Sequence, residues 1–372
     1  MQLVMPHLAS TVEMVTIISH TPPGEAMQPL VECVPNFSEG RDDTVIDDIV
    51  KSASGIDGCR VLSSEPDADY NRTVVTIAGN PEAVSEAAFR LISRAKELID
   101  MRQHQGEHPR IGAVDVCPFI PLRDSTFAEC ATLANSLATR VAGELNVPVF
   151  LYGHAASIPE RRVLSDLRRG QYEGLQERLS DGDSNHGEET RYPDLGPQEW
   201  GDAVARFGAV VIGARPILVA YNVNLDEKDA RVAKLCGSIV RSSGRLIKGD
   251  DGRKMRVRGM LDKVQGMGVP LESHGISQVS MNLIDVSVTD MHDAYECIKT
   301  VVSDHDVEVC GSELVGLTPL SSMLNAGRWY HESPEHASDE QLVQAAINGL
   351  GLDQLGPFDA NQRIIEWAAE AK

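Results

Sequence analysis

Leu30-Val-Glu-Cys-Val-Pro-Asn-Phe-Ser38 is the stretch that decides the fold. Its apolar and β-branched residues run into a Pro-Asn pair, which is typical of a strand that ends in a turn. A helix is expected next, over residues 42–54, with Ser38 or Asp42 as its N-cap. Four apolar residues fall on one face of that helix: Val45, Ile46, Ile49 and Val50. The stretch therefore predicts a strand followed by a helix that packs on it.

The same reasoning predicts the order strand, helix, strand, strand, helix, strand in both halves of the chain. In the first half, further strands are expected at 60–63, 73–78 and 112–120, and further helices at 81–100 and 125–145, with a strand at 147–153 that enlarges the sheet. In the second half, strands are expected at 209–215, 217–225, 244–248, 278–285 and 307–315, and helices at 227–242 and 291–303. The predicted class is α/β (α+β), with two ferredoxin-like βαββαβ subdomains, mixed sheets and a ligand cleft between them.

Residues 157–200 are rich in Gly, Pro, Asp and Arg and show little apolar periodicity, which favours a domain boundary there. We expect an extension outside the fold at 1–27, an N-terminal subdomain at 28–200, a C-terminal subdomain at 201–330 and a helical tail at 331–372.

The composition excludes several classes of protein. With 55 acidic and 34 basic residues among 372, the net charge is −21, which argues against a general nucleic-acid or anionic-membrane surface. Seven scattered cysteines show no C-x-x-C spacing and indicate reduced thiols. The apolar stretch at 12–19 is too short to span a bilayer and follows no basic residue. A cytoplasmic protein without membrane or nucleic-acid partners is expected.

His104-Gln-Gly-Glu-His-Pro-Arg110, which runs on to Pro121, is the strongest candidate for a functional loop. Two histidines, Glu107 and Arg110 lie within seven residues, and Gly106 and Pro109 interrupt any regular element. Loops held at both ends by a scaffold carry binding and catalytic groups more often than core elements do. We expect this loop to line the cleft between the subdomains.

His104 and His108 are four residues apart, the spacing of two zinc ligands on one helical face. Gly106 and Pro109 make a helix improbable and no third ligand is evident, so no metal is expected. A single histidine that accepts and returns a proton at neutral pH fits better. The simpler alternative is a histidine hydrogen-bonded for structure alone.

Other polar segments have both a functional and a structural interpretation. The loop 65–72, with three carboxylates, Asn71 and Arg72, either supports the histidine or is a solvated turn. The segment 35–41 either binds an anion at the start of a helix or is a capped helix start. The segment 196–208, with Trp200, either receives a planar heterocycle or is an anchored surface loop. The four arginines of 161–169 are interpreted as a solvated helix face.

Three motifs, at 30–40, 71–76 and 104–121, resemble the glutamate formiminotransferase family, and similar stretches extend over residues 29–368. The resemblance implies transfer of a formimino group between N-formimino-L-glutamate and tetrahydrofolate as co-substrate, with His108 as the catalytic histidine. It also implies two α/β subdomains with a folate tunnel between them. Vertebrate members are fused to a cyclodeaminase domain, so any such activity is expected from a separate protein.

The residues and the resemblance together give the expected site. The catalytic group comprises His108 as general base and acid, Glu65 as the carboxylate behind it and Arg110 as a carboxylate-binding cation. The expected substrate and folate contacts are Asn36, Asn71, Arg72, Glu107, Gly196, Pro197, Gly208, Arg215 and Asn222. Family members commonly carry Asp where this chain has Glu65, and the segment after Gly196 is slightly longer here.

Because both substrates are anions, a local cluster is expected from five arginines: Arg41, Arg72, Arg110, Arg123 and Arg215. A homodimer is also expected. Two alternatives stay open from the sequence: a formyltransferase that uses 5-formyltetrahydrofolate, and a folate-binding module without catalysis.

Overall fold

The computed structural model describes residues 28–180, 186–249 and 252–371, so the predicted extension at 1–27 lies outside the described residues. The strands are β1 Val31–Cys33, β2 Asn36–Phe37, β3 Cys59–Asp67, β4 Arg72–Gly79, β5 Val114–Pro121, β6 Val149–Gly153, β7 Val210–Ala214, β8 Val219–Leu225, β9 Arg245–Lys248, β10 Lys254–Val257, β11 Val264–Leu271, β12 Ile276–Leu283 and β13 Val309–Val315. The helices are α1 Asp43–Ser52, α2 Pro81–Leu98, α3 Phe127–Leu145, α4 Leu164–Leu167, α5 Leu175–Arg178, α6 Glu188–Arg191, α7 Asp202–Phe207, α8 Arg231–Val240, α9 Met291–Val302, α10 Leu320–Tyr330, α11 Asp339–Leu350, α12 Ala360–Arg363 and α13 Ile365–Glu370.

The first sheet contains the predicted βαββαβ unit. β1 and β2 lie end to end between β4 and β5, and β3 pairs with the outer side of β4, all antiparallel. The order β3, β4, β1 with β2, β5 is that of a ferredoxin-like sheet. β7 and then β6 extend it beyond β5 in parallel, which makes the sheet mixed.

Helices α1, α2 and α3 cover one face of this sheet. Phe37, Ile77 and Phe119 from three strands are fully buried beneath them. Asp42, and not Ser38, caps α1: its carboxylate accepts from the Thr44 and Val45 amides, whereas the Ser38 hydroxyl donates to the carbonyl of Gly112 at 2.8 Å. Asn80 caps α2, and a reciprocal Thr126–Glu129 pair caps α3. The local start signals therefore fix where these helices begin.

The opposite face of the first sheet is covered at its two ends. Short helices of the segment 159–207 pack on the β6 and β7 end around Phe150 and Tyr152. At the other end, α13 packs on β3 and β4.

The second sheet is antiparallel in the order β11, β12, β8, β13, again the ferredoxin-like order. Helices α8 to α11 bury one face, centred on Tyr221, Val223 and Val279. The alternate residues Asn222, Asn224 and Gln278 point to the other face. The predicted class, two βαββαβ units with mixed and antiparallel sheets, is confirmed.

The second strand of this unit was predicted wrongly. Residues 244–248 form β9 of a separate two-stranded hairpin with β10, and the strand that occupies this place in the sheet is β11. β11 contains Gly266, Gly268 and Pro270, which weaken a strand pattern. The glycines follow from close packing: a Cβ on Gly268 would lie 2.1 Å from the Lys234 backbone nitrogen of α8. Because α8 packs closely on β11, β11 requires glycines at positions where an apolar side chain would otherwise indicate a strand.

The change from one sheet to the next falls between Ala214 and Val219. The strand expected at 209–215, which was assigned to the second subdomain, belongs to the first sheet, because its apolar residues fill the space between β5 and β6. Helices of the predicted tail pack on the second core. Within the described residues, no helix combines the length and the apolar character needed to cross a bilayer.

Candidate active site

The loop between α2 and β5 carries the predicted histidines, and Asn71 holds it in place. Asn71 has a left-handed backbone (φ 48°), which a short polar residue tolerates. Its side-chain oxygen accepts from the Gly40 amide at 2.9 Å, and its side-chain nitrogen donates to the Gln105 carbonyl at 2.9 Å. Gly106 lies so near that a Cβ there would be 2.4 Å from the Tyr70 carbonyl oxygen. The loops 36–41, 67–72 and 104–110 are therefore tied together.

His104 and Arg110 are structural parts of this loop. The Arg110 Nε donates to His104 Nδ1 at 3.1 Å, so the other ring nitrogen of His104 carries the proton and donates to the Asn71 carbonyl at 3.0 Å. The Arg110 guanidinium is buried and binds both carboxylate oxygens of Glu173, at 2.9 and 2.6 Å. Arg110 thus lacks the open bidentate face that a substrate carboxylate needs.

His108 has a different environment, partly buried at the end of the loop. Its ring meets that of Tyr70 edge to face, with 6.3 Å between centroids. Burial, and then the guanidinium groups of Arg72, Arg168 and Arg110, lower the pKa of His108 to about 3, against a smaller opposing effect of Asp67. The imidazole is therefore neutral at physiological pH and has a lone pair available.

Arg72 is the cation of this group with unused hydrogen-bonding capacity. Its Nε is buried and has no hydrogen-bond partner, and its guanidinium carbon lies 5.9 Å from the Tyr70 ring centre. The Asp67 carboxylate accepts from the Asp69 and Tyr70 amides at 3.0 and 2.9 Å. It thereby shapes the turn that presents the side chains of Tyr70 and Arg72. A buried donor without a partner is costly, which makes Arg72 a ready receptor for an oxygen ligand.

Arg168 and Asp115 complete the group and were missed by the sequence analysis. The bulge of β5 opposite Asn36 and Phe37 leaves Asp115 unpaired on the strand, and its carboxylate binds the Arg168 guanidinium. Two of the four arginines interpreted as a solvated face, Arg161 and Arg168, therefore point inward, Arg161 to Asp194. The signal was an Asp within an apolar strand, since a buried carboxylate needs a cation.

Glu65 lies elsewhere. It lines a cavity of about 310 Å³ between β3 and the chain around Gly316 and Arg363 of the second unit. A Cβ on Gly316 would be 3.3 Å from its carboxylate oxygen. Asp67, two residues further along β3, is the carboxylate that acts on His108. The cavity joins the two units, but the 104–110 loop is not among its lining residues.

The segment 35–41 contains its own anion. The Glu39 carboxylate accepts from the amides of Gly40, Arg41 and Asp42, at 3.0, 2.8 and 3.1 Å. Asn36 donates to the carbonyl of Val34 at 3.0 Å. The structural interpretation of this segment is therefore favoured over an anion site. Glu107 is exposed at the loop surface.

The segment 196–208 is closely fitted to the first sheet. Gly196 (φ 83°) and Gly208 (φ 82°) have left-handed backbones, and a Cβ on either would lie 2.3 Å from a carbonyl oxygen, of Val147 and Ile111 respectively. Trp200 packs near Tyr172, with 6.2 Å between centroids. Pro197 follows directly and is partly buried. The contact with Tyr172 favours the second of the two alternatives, an anchored surface loop.

The remaining predicted residues lie outside the His108 group. Arg215 donates to the Pro216 carbonyl and is a charged neighbour of Glu32 and Tyr152. Burial raises the pKa of Glu32 to about 7. Asn222 donates to Glu313 at 3.1 Å on the second sheet.

The predicted arginine cluster is therefore only partly correct. Arg72 and Arg110 belong to it and Arg168 joins them, whereas Arg41 binds the Ala68 carbonyl and Arg123 binds Glu370. Arg72, Arg110 and Arg168 all lower the pKa of His108 through their charge. Across 28–180, 186–249 and 252–371, no three His, Cys, Asp or Glu side chains come together as a metal site.

The sequence of this chain is similar to those of several known proteins of one family. A 42% identical protein, the formimidoyltransferase-cyclodeaminase of Rattus norvegicus, aligns with 92% of this chain, which spans only 60% of that relative's length. The glutamate formimidoyltransferases of Streptococcus pyogenes serotype M1 and Thermoplasma acidophilum are 37% and 38% identical, over 87% and 81% of this chain and 100% and 92% of theirs.

The models of the formiminotransferase domain match in two parts that follow the two sheets. The N-terminal subdomain matches residues 30–215, which end just after β7, and the second part matches residues 220–370. Since the matches cover both units and the histidine loop, this chain belongs to the formiminotransferase domain family.

Proposed function

We propose that this chain transfers the formimino group between N-formimino-L-glutamate and tetrahydrofolate. The observation that carries the proposal is the neutral His108 imidazole beside Arg72, whose buried Nε has no hydrogen-bond partner. A proton acceptor next to an anion receptor is what transfer from an amidine of glutamate requires. The relatives named glutamate formimidoyltransferase support the glutamate and formimino parts of this proposal.

In the proposed reaction, an N–H nitrogen of tetrahydrofolate attacks the formimino carbon. His108 takes the proton from this nitrogen as the new C–N bond forms, and returns it to the glutamate nitrogen as the old C–N bond breaks. The formimino group moves from one nitrogen to the other and one proton moves the opposite way, so no oxidant, reductant or metal enters the balance. A neutral imidazole is the form that starts this sequence.

Arg72 is proposed as the receptor for a carboxylate of the glutamate part. Arg110 was the other candidate from the sequence, but its guanidinium already binds Glu173 with two hydrogen bonds. Arg168 is held by Asp115 and adds positive charge beside Arg72. A carboxylate bound here would offset the charge that depresses the pKa of His108, and would raise it toward the range useful for catalysis.

Asp67 is proposed in the supporting role expected of Glu65. Its carboxylate fixes the turn that presents Tyr70 and Arg72, and its charge favours the protonated form of His108. Glu65 faces the cavity between the units, where it is suited to a part of the ligand remote from the transferred group.

The test is a spectrophotometric transfer assay with both substrates. His108→Ala should lower kcat by roughly a hundredfold or more, because a positioned general base contributes about that factor. His305→Ala, an exposed histidine of the second unit, serves as the matched control and should retain wild-type turnover. Equal turnover of the His108 variant and the wild type would refute the assignment. A parallel assay with 5-formyltetrahydrofolate and glutamate separates formimino from formyl transfer.

A further inference from the structure

The ion pair of Arg110 and Glu173 joins a buried cation to an exposed carboxylate. The Arg110 side chain is 5% exposed, whereas that of Glu173 is 63% exposed. The carboxylate accepts from both terminal nitrogens of the guanidinium, at 2.9 and 2.6 Å, and the side-chain oxygen of Gln171 is a more distant acceptor at 3.4 Å. A glutamate side chain thus covers the fork of Arg110 on the side of the solvent.

The candidate site contains two pairs of an imidazole and a guanidinium that differ in what they can do. Arg72 lies near His108 and has a buried Nε without a hydrogen-bond partner among the described residues. In the second pair, His104 accepts from Arg110 with one ring nitrogen and donates to the Asn71 carbonyl with the other. The imidazole of His104 therefore has no lone pair with which to take a proton from a substrate.

The two guanidinium groups lie close enough to compete for one ligand. His104 donates to the carbonyl of Asn71, the residue directly before Arg72. Besides burial, the charges of Arg72 and Arg110 lower the pKa of His108, so both lie near this histidine. N-formimino-L-glutamate carries two carboxylates, and an open guanidinium fork binds a carboxylate with two hydrogen bonds. If Arg110 were open, the substrate would have a second receptor next to an imidazole that cannot take a proton.

We propose that Glu173 is a specificity-determining residue, whose carboxylate occupies Arg110 and thereby directs the substrate carboxylate to Arg72. Glu173 ends in the same group as the glutamate part of the substrate, so it fills the fork as that part would. A substrate bound to Arg110 would place its formimino group beside His104 and obstruct productive binding at Arg72. Specificity here comes from blocking the wrong mode of binding. The inference rests on the proposed function, since it assumes formimino transfer at His108.

The test is Glu173→Ala, which opens the fork of Arg110. Binding in a second, unproductive mode lowers kcat and KM by the same factor, because it removes enzyme from turnover at saturation and tightens apparent binding. With N-formimino-L-glutamate as the varied substrate, kcat and KM should each fall about threefold or more, while kcat/KM stays within about twofold of the wild-type value.

Acetate provides a second measurement. In Glu173→Ala it should occupy Arg110 in place of the missing carboxylate and raise kcat at saturating substrate. In the wild type it competes at Arg72 alone and should leave kcat unchanged. A readout independent of turnover is the His104 ring in NMR spectra, since His104 accepts from Arg110. Acetate should shift the resonances of this ring in Glu173→Ala and leave them in place in the wild type.

Glu177→Ala is the matched control, because Glu177 is an exposed carboxylate four residues further along the same segment and should be replaceable without change in kcat or KM. Thermal melting verifies that each variant is folded. If Glu173→Ala does not fold, Glu173→Gln decides: it keeps an acceptor oxygen but loses the charge, and kcat and KM should fall together to a smaller extent.

Two results would overturn the inference. A fall in kcat/KM without a fall in KM would show that Glu173 only holds the loop in place. Unchanged kcat and KM would show that Arg110 does not compete for the substrate. Full turnover by His108→Ala would instead refute the proposed function, so the two failures are distinguishable.

Discussion

The two βαββαβ units have the same strand order, but they place different chemistry on the sheet face opposite their helices. In the first unit that side carries ionic groups, including Glu32, Asp115 and Arg168. In the second unit it carries mainly amides: Asn222, Asn224 and Gln278 hydrogen-bond with one another and with a single carboxylate, Glu313. The first unit is thus equipped to move a proton and bind an anion, and the second to hydrogen-bond a neutral group.

This difference shows that fold order and chemistry are separable. The ionic groups of the first unit depend on additions to the shared pattern: a bulge in β5 leaves the buried Asp115 without a strand partner, and the segment 159–207 supplies Arg168. The second unit has a bulge of its own, in β13 between Val309 and Gly311, and among its described residues the β9–β10 hairpin is inserted where the first unit has no counterpart. Substitutions of matched residues in the two units can therefore test this difference.

The largest effect is expected from Asp115→Asn. The change leaves the Arg168 cation without its carboxylate in a largely buried place, which should lower the free energy of unfolding by about 3–5 kcal/mol. Gln278→Leu in the second unit removes neutral hydrogen bonds and should cost about 1–3 kcal/mol. Urea denaturation measures both. Asp47→Asn, from an exposed pair with Lys51, is the control and should cost less than about 1 kcal/mol. Equal losses of unfolding free energy in Asp115→Asn and Gln278→Leu would contradict the proposed difference between the two units.

A smaller effect is expected from Arg72→Lys. Lysine keeps the charge but loses the planar fork that binds a carboxylate with two hydrogen bonds. KM for N-formimino-L-glutamate should rise roughly tenfold, the equivalent of about 1.4 kcal/mol, with a smaller change in kcat. Asn222→Ala is the counterpart in the second unit and should leave this KM within about twofold of the wild-type value. If Asn222→Ala raises KM as much as Arg72→Lys, recognition of the carboxylate is not confined to the first unit.

A further effect concerns pH. The pKa of His108 is about 3 in the folded chain, below its ordinary value of 6.5, so the unfolded chain binds this proton more readily. The contribution of His108 to stability is therefore present above about pH 6.5 and is lost as pH falls toward 3. In His108→Gln the fall in stability over this range should be less steep, measured by urea midpoints at successive pH values.

Direct NMR titration of the His108 ring provides a second readout. The ring should titrate near pH 3 in the free protein and at higher pH when glutamate is bound, because an anion on Arg72 reduces the positive potential. A ring that titrates near 6.5 without ligand would show that the arginines do not act on it.

The strand and helix order was largely predictable, because alternating and helical apolar patterns report directly which side chains are buried. β11 was not, since Gly266 and Gly268 reflect contact with α8 rather than strand propensity. The assignment of β7 to the first sheet also depends on tertiary pairing, with β5 and β6, which no local pattern carries.

Within the candidate site, the sequence predicted the loop and its catalytic histidine, His108, but not the partners of its arginines. Arg110 and Arg168 look alike in the sequence, yet one is held by Glu173 and the other by Asp115. Such pairings join residues more than 50 positions apart and follow from the fold as a whole. Asp67 was one of the three carboxylates of the loop 65–72 that the sequence offered as support for the histidine, whereas Tyr70 was seen only as part of that loop.

Asn71 gives the candidate site a chemical vulnerability. Its side-chain nitrogen donates to the Gln105 carbonyl while its oxygen accepts from Gly40, so the amide joins two loops through atoms of opposite polarity. Hydrolysis of this amide to a carboxylate is a common form of protein ageing. It would keep the hydrogen bond from the Gly40 amide, but it would place a carboxylate oxygen against the Gln105 carbonyl oxygen. The histidine loop would then be released while both cores stay folded, so the working lifetime of the site can be shorter than that of the fold.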